Sequence, residues 1–187
     1  MRKIVLTFGL IAGAVLSVMM IITLPLQHQV SYDRALVVGY TTMVLAFLMI
    51  FFGVRSYREN VGRGTVGFGR ALAVGTLIAA IASACYVATW EVIYFKFEPD
   101  FLRKMQAHEL EKARANGASE AEIAKQKAEG DKLAVMYDNP LYNSAMTFLE
   151  PLPVGIVIAL VTAGVLSRKK KGSLRQNGAV SGARAST

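Results

Sequence analysis

The sequence predicts an all-α, polytopic membrane protein: a bundle of four transmembrane helices with an extramembrane helical hairpin between the third and the fourth. Three observations predict it. Four segments, near residues 4–26, 35–54, 71–95 and 151–167, are almost free of ionisable side chains. About 20 such residues, rising 1.5 Å each, cross a hydrocarbon core of about 30 Å. Lys and Arg crowd on alternate sides of these segments. The 187 residues are 53% hydrophobic with a mean hydropathy of +0.40, more than a chain with a water-facing surface carries.

The net charge of +8 does not indicate a nucleic-acid partner, because the cations flank apolar spans and build no recognition motif. The one cysteine, Cys85, falls in the third span and behaves there as a small apolar residue. The first segment follows Met1-Arg2-Lys3, as in a signal peptide. It is too long for an h-region and ends in Leu24-Pro25-Leu26-Gln27 without a small-x-small site, which favours an uncleaved first span.

Charge orients the spans. Arg2, Lys3, the segment 55–70 and the residues after 167 hold twelve cations and one acid, while the other flanks hold nine cations and twelve acids. Cationic loops stay in the cytoplasm, so both termini and the 55–70 loop are expected inside. The loops 27–34 and 96–150 are expected outside.

Taken in order, the first span carries Gly9, Gly13 and Ser17 at four-residue spacing, and the third carries Gly75, Ala79 and Ser83. The fourth carries Gly155, Ala159 and Ala163. Small residues four apart share a helix face and let backbones approach closely, either at a dimer seam or within one bundle. The second span instead supplies bulk through Met43, Phe47, Met49, Phe51 and Phe52.

The long outer loop reads as two helices. Pro99-Asp100 opens the first and Asn116-Gly117 closes it. Ser119 and Glu122 form a capping box for the second, which runs to about Tyr137, with Gly130 as a point of interruption. Pairs such as Asp100/Lys104, Glu109/Lys112, Glu111/Arg114 and Glu122/Lys125 each contribute about 0.2–0.5 kcal/mol at such spacings. A thin stripe through Phe101, Leu102, Met105 and Leu110, then Ile123, Leu133 and Met136, leaves an apolar edge for the membrane surface or a partner.

The fourth span, about 145–167, either begins near Ser144 with a proline kink or takes Pro151 and Pro153 as its first turn. The membrane domain is therefore 1–167, with the 96–140 hairpin as an insertion, and 168–187 is a basic tail expected to be disordered.

Gly62-Arg63-Gly64-Thr65-Val66-Gly67 spells G-x-G-x-x-G but has no strand before it, so it reads as a tight turn rather than a dinucleotide site. Around it, Arg55, Tyr57, Arg58, Asn60, Gly62, Arg63, Phe68 and Arg70 are candidates for contact with anionic headgroups or a partner. Arg168, Lys169, Lys170 and Lys171 join them as a stop-transfer and headgroup signal. Glu91 is the only ionisable residue within the charge-poor segments, beside the aromatic belt of Tyr86, Trp90 and Tyr94. It lies 21 residues from Arg70, near the outer rim, where Asp33, Arg34 and Glu150 complete a candidate polar cluster. His28 and His108 are isolated. No catalytic, metal or cofactor motif emerges.

The stretch Phe52-Gly53-Val54-Arg55-Ser56-Tyr57-Arg58-Glu59-Asn60, the glycine turn, Gly67-Phe68-Gly69-Arg70-Ala71, and Trp90 through Pro99-Asp100-Phe101 resemble the bacterial domain-of-unknown-function family 4199, as does the charged ending after Leu166. The resemblance covers most of the chain and implies a four-span inner-membrane protein with no assigned activity. It carries over no catalytic residue. The expected function is non-enzymatic: contacts with lipid, a second copy or an envelope protein through the Arg/Gly loop and the hairpin. The alternative is a small transporter or channel using the polar cluster around Glu91.

Overall fold

The computed structural model describes residues 1–26 and 32–168. Seven helices occur among them: α1 (Arg2–Leu26), α2 (Tyr32–Asn60), α3 (Phe68–Lys96), α4 (Phe101–Ala115), α5 (Glu120–Tyr137), α6 (Pro140–Leu149) and α7 (Leu152–Leu166). Four stretches are long and apolar enough to cross a membrane: Arg2–Leu24, Val37–Asn60, Phe68–Lys96 and Pro140–Leu166. Within an 18-residue apolar stretch of each, only 33–39% is buried inside the molecule. The exposed remainder, including Leu10, Ile21, Leu45 and Val161, is apolar surface suited to a lipid surround. The tail beyond Arg168, with Lys169, Lys170 and Lys171, lies outside the described residues, as do the side chains of Asp33 and Arg34.

The helices alternate in direction. We call the end with residues 61–67 the loop end, and the end with α4 and α5 the hairpin end. α3 is central, packed on α1, α2, α6 and α7, while α2 also packs on α1 and α7. The small-residue faces are consumed inside this bundle. A Cβ added at Gly9 would lie 2.8 Å from Ile81 Cβ, and one at Gly13 would lie 2.6 Å from Cys85 Cβ, so α1 and α3 run parallel and nearly touch. Gly75 meets Ala159 while Gly155 meets Ala79, an antiparallel contact between α3 and α7. Lipid tails are as apolar as leucine, so such close van der Waals packing, not water exclusion, holds membrane helices together. Of the bulk expected of α2, Met43 and Phe47 are buried and Met49 and Phe51 partly so, while Phe52 is exposed; Ile50 and Val54, not in that set, are wholly buried with Phe47.

The start of α5 and the end of α4 form as their caps direct, whereas α4 begins at Phe101 with Pro99 outside it and no side-chain cap bond from Asp100. Ser119 and Glu122 make both bonds of the capping box. The Ser119 backbone and hydroxyl donors hold the Glu122 carboxyl below the usual range. Gly117 closes α4 with φ +83°, a left-handed conformation that favours glycine. Gly130 does not interrupt α5. A Cβ there would strike the Gln106 side chain, whose amide donates to the Lys127 carbonyl at 2.8 Å and Asp131 Oδ1 at 3.3 Å. The glycine is where α4 and α5 touch. Asp100 pairs with Arg103 rather than Lys104, and Lys104 pairs with Glu98.

The fourth crossing is two helices. Asn139 caps α6 by accepting from the Leu141 N–H at 2.9 Å, and Pro140 follows as its first residue. α6 ends at Leu149, and α7 restarts after Glu150 and Pro151. The break falls there because Pro151 and Pro153 lack the N–H groups that would continue the ladder, although Glu150 and Pro151 both keep right-handed helical backbone angles. The crossing thus starts earlier than residue 145, and the apolar span contains Glu150.

Candidate functional site

At the hairpin end the helices part around a cavity of about 560 Å³. α1 lines it with Leu16, Met19 and Thr23, and α2 with Tyr40, Thr42 and Met43. α3 contributes Tyr86 and Trp90; α6 contributes Met146, Thr147 and Leu149, with Glu150 just beyond it. Phe101, Leu102 and Met105 of α4, with Tyr137 of α5, cover the end. The start of the hairpin's apolar edge therefore rests on this chain's own bundle, while Leu133 and Met136 further along it stay exposed. The Phe101 ring stands edge-to-face on Trp90, with centroids 5.0 Å apart.

One wholly buried side chain ties this region together. Asn143 Oδ1 accepts from the Trp90 indole N–H at 3.0 Å and the Thr147 hydroxyl at 3.1 Å, and its amide donates to the Tyr137 carbonyl at 3.3 Å. It joins α3, α5 and α6. Nearby, the Thr89 hydroxyl donates to Ser17 Oγ at 2.7 Å, linking α3 to α1. Sequence reading passed over Asn143. Its signal was the Asn143/Thr147 pair, four apart and so on one face of a short helix leading into a span.

Glu150 is the only ionisable carboxylate of the cavity lining, which contains no Lys, Arg or His among the described residues. It accepts from the Tyr86 hydroxyl at 3.2 Å. Glu91 lies five residues further along α3, about 7.5 Å by helix rise, and does not line this cavity. Its Oε1 is buried and has no hydrogen-bond partner among the described residues. The expected outer cluster thus separates into Glu91 at the rim and Glu150 deeper, with the side chains of Asp33 and Arg34 outside the described residues.

At the loop end the candidate contact residues divide. Tyr57 is 5% exposed and belongs to the core, not to the membrane interface where it was expected. Arg58 Nε donates to the Gly64 carbonyl at 2.8 Å and closes the turn. Arg55 pairs with Glu59 at 2.9 Å. The Asn60 amide donates to the Ser56 carbonyl, and a side chain at Gly62 would strike the Thr65 carbonyl. Arg63, Phe68, Arg70 and Arg168 are exposed. The turn is built by its glycines and Arg58, with Gly64 at φ +86°, and no strand is present among the described residues to make it a dinucleotide loop.

Four apolar crossings around a packed core, with a polar helical hairpin at one end, define a multi-pass helical membrane protein. Within that class, the chain belongs to the family described as protein of unknown function DUF4199, whose profile matches residues 7–168. The match takes in all four crossings and the hairpin. No curated protein and no solved structure matches the chain.

Proposed function

We propose that this is a non-enzymatic protein of the bacterial inner membrane that works by binding, and that it holds an amphiphile in the cavity at its hairpin end. The cavity carries this reading. Its volume of about 560 Å³ lies in the range of sites that enclose small ligands, roughly 300–1,000 Å³. Its walls are largely apolar, with a few convergent polar groups in Thr42, Tyr86, Thr147 and Glu150. Five methionines among the lining, Met19, Met20, Met43, Met105 and Met146, supply unbranched, polarizable surface that adapts to a flexible chain.

Charge orients the molecule. The loop-end flanks sum to +11 and the hairpin-end flanks to −3, which favours the loop end and both termini in the cytoplasm. There, Arg63, Arg70 and Arg168 face anionic headgroups, each cation contributing about 1 kcal/mol near such a surface. These contacts anchor and orient. Transport is the lesser reading, because the core below the cavity is closed by Phe47, Ile50 and Ile78, each wholly buried.

Two measurements test the proposal. Gly39 lines the cavity, and a Cβ added there meets nothing within 4 Å. Gly39→Phe is therefore expected to fill the space without disturbing the bundle. Mass spectrometry of protein extracted in native lipid is expected to show a retained amphiphile in the wild type and none in Gly39→Phe. Equal retention by both would place the ligand elsewhere and sink the cavity reading. Orientation is tested in a Cys85→Ala background with cysteine at Val61 or Asn116. A membrane-impermeant reagent applied to intact cells is expected to label position 116 only. Labelling at 61 would reverse the topology.

A further inference from the structure

We infer that the ligand carries a positive charge: the cavity is built for a cationic amphiphile whose ammonium group sits against Glu150. This deepens the binding reading above and rests on it. The first ground is the placement of the charge. Glu150 lies 17 residues from Ser167 along the fourth crossing, about 26 Å by helix rise, and so inside a hydrocarbon layer of about 30 Å. That is about 4 Å inside the boundary, where Glu150 is open to the cavity, and an ionised carboxylate against apolar walls favours a paired cation. The cavity lining contains no Lys, Arg or His among the described residues, and the polar contact given to the carboxylate is the neutral Tyr86 hydroxyl. The counter-charge is thus the part a ligand can bring.

The second ground is the ring set. Tyr40, Tyr86, Trp90 and Tyr137 line the same cavity. Aromatic faces carry negative potential and attract ammonium groups, most of all where water is excluded. An anionic headgroup would meet the carboxylate and these faces as repulsion. A neutral one would bring no charge partner to the carboxylate. The methionine-rich walls accept a hydrocarbon tail regardless of charge, so the charge preference resides in Glu150 and the rings.

The test uses the full chain in bilayer nanodiscs of zwitterionic lipid. The probes are octyltrimethylammonium, octanol and octyl sulfate, which share a tail and differ in charge. Trp90 is the one tryptophan of the chain and lines the cavity, so its fluorescence reports occupancy directly. Wild-type protein is expected to bind the cation at least about tenfold more tightly than octanol, as a desolvated charge pair implies, and to bind the sulfate most weakly. Glu150→Gln is expected to lower cation affinity to near that of octanol and to leave octanol within about twofold, since the tail contacts persist. Gly39→Phe is expected to abolish all three responses. Equal wild-type affinity for cation and octanol, or an unchanged cation preference in Glu150→Gln, overturns the inference while leaving the cavity intact. No response to any probe overturns the cavity reading itself. The probe order in the wild type decides the matter even if Glu150→Gln does not fold.

Discussion

Asn143→Leu is expected to release the helical hairpin from the bundle and to destabilise the protein by about 2–4 kcal/mol. The wild-type amide satisfies the Trp90 indole N–H, the Thr147 hydroxyl and the Tyr137 carbonyl at once. Leucine nearly matches its volume and makes none of these bonds. Thr147 can turn its hydroxyl back to its own helix, but the indole and the carbonyl cannot turn away. Each buried group left unpaired costs about 1–3 kcal/mol. Interhelical bonds in membranes run lower, about 0.6–2 kcal/mol, because unfolded helices in lipid also find partners; the estimate allows for that. The readouts are the thermal midpoint, Trp90 emission, and protease cleavage between α4 and α5. Faster cleavage and a shifted emission are expected together. Thr147→Val, which deletes one donor while Asn143 keeps Trp90, is expected to cost less than about 1 kcal/mol. An unchanged emission spectrum in Asn143→Leu would mean that the apolar contact of Phe101 on Trp90 holds the hairpin alone.

Gly75→Ile is expected to split the bundle at its centre, at a cost of about 3 kcal/mol or more by overpacking. The first added carbon would lie 2.8 Å from Ala159 Cβ and 3.0 Å from Ile50 Cγ2, so α3 must part from α7 and α2 together. The displaced contacts are van der Waals contacts, which fall away steeply with distance. Gly164→Ala is the matched control. It sits in the same bundle with nothing within 4 Å of an added Cβ, and alanine in a helix interior is expected to gain about 0.5–1 kcal/mol over glycine. Thermal or denaturant unfolding in mixed micelles is expected to move the midpoint down for Gly75→Ile and slightly up for Gly164→Ala. Parallel losses in both would show that glycine is needed for backbone reasons and not for helix contact.

The two variants probe different layers of one architecture. Gly75 belongs to the dry seam that sets how closely α2, α3 and α7 approach. Asn143 belongs to the polar junction that positions the hairpin over the space left where those helices part. A ligand in that space would touch Trp90 and Tyr137, which line it and are two of the groups held by Asn143. Occupancy and hairpin stability are therefore thermodynamically linked, since anything that binds the assembled form alone stabilises it.

Much of the fold was legible along the chain. Ser119 and Glu122 specify a helix start by chemistry contained in four residues, and the capping box forms as read. Asn116-Gly117 marks the end of α4 for an equally local reason. The glycine and alanine ladders of α1, α3 and α7 announced close packing but left open with whom. Gly9 has the same sequence context at an internal contact and at a dimer seam, and only the proximity of Ile81 shows that α3 takes that face. The candidate site was less legible. Glu91 drew attention as a charge in a span, whereas Glu150 lies deeper because α6 carries the fourth crossing back to Pro140. Tyr57 has the composition of an interface anchor, yet the turn of α2 on which it falls faces inward. Gly130 reads as a break until Gln106 of the other helix is seen to fill the space beside it.

The sequence by itself determined that four segments are apolar enough to lie in lipid, where the hairpin starts and stops, and which end carries the positive charge, but not that the fourth crossing is two helices. These properties are sums over consecutive residues: a span's transfer free energy, a cap's hydrogen bonds and a flank's charge all accumulate within about 20 positions. Only the tertiary structure decided that the helix ends part around a cavity, that Asn143 holds its cover, and that Glu150 is its one carboxylate. Those properties depend on which side chains meet across distances of 50 residues or more, as Trp90 and Asn143 do. No local sum contains them, because a cavity is the volume that separately read segments fail to fill once they pack.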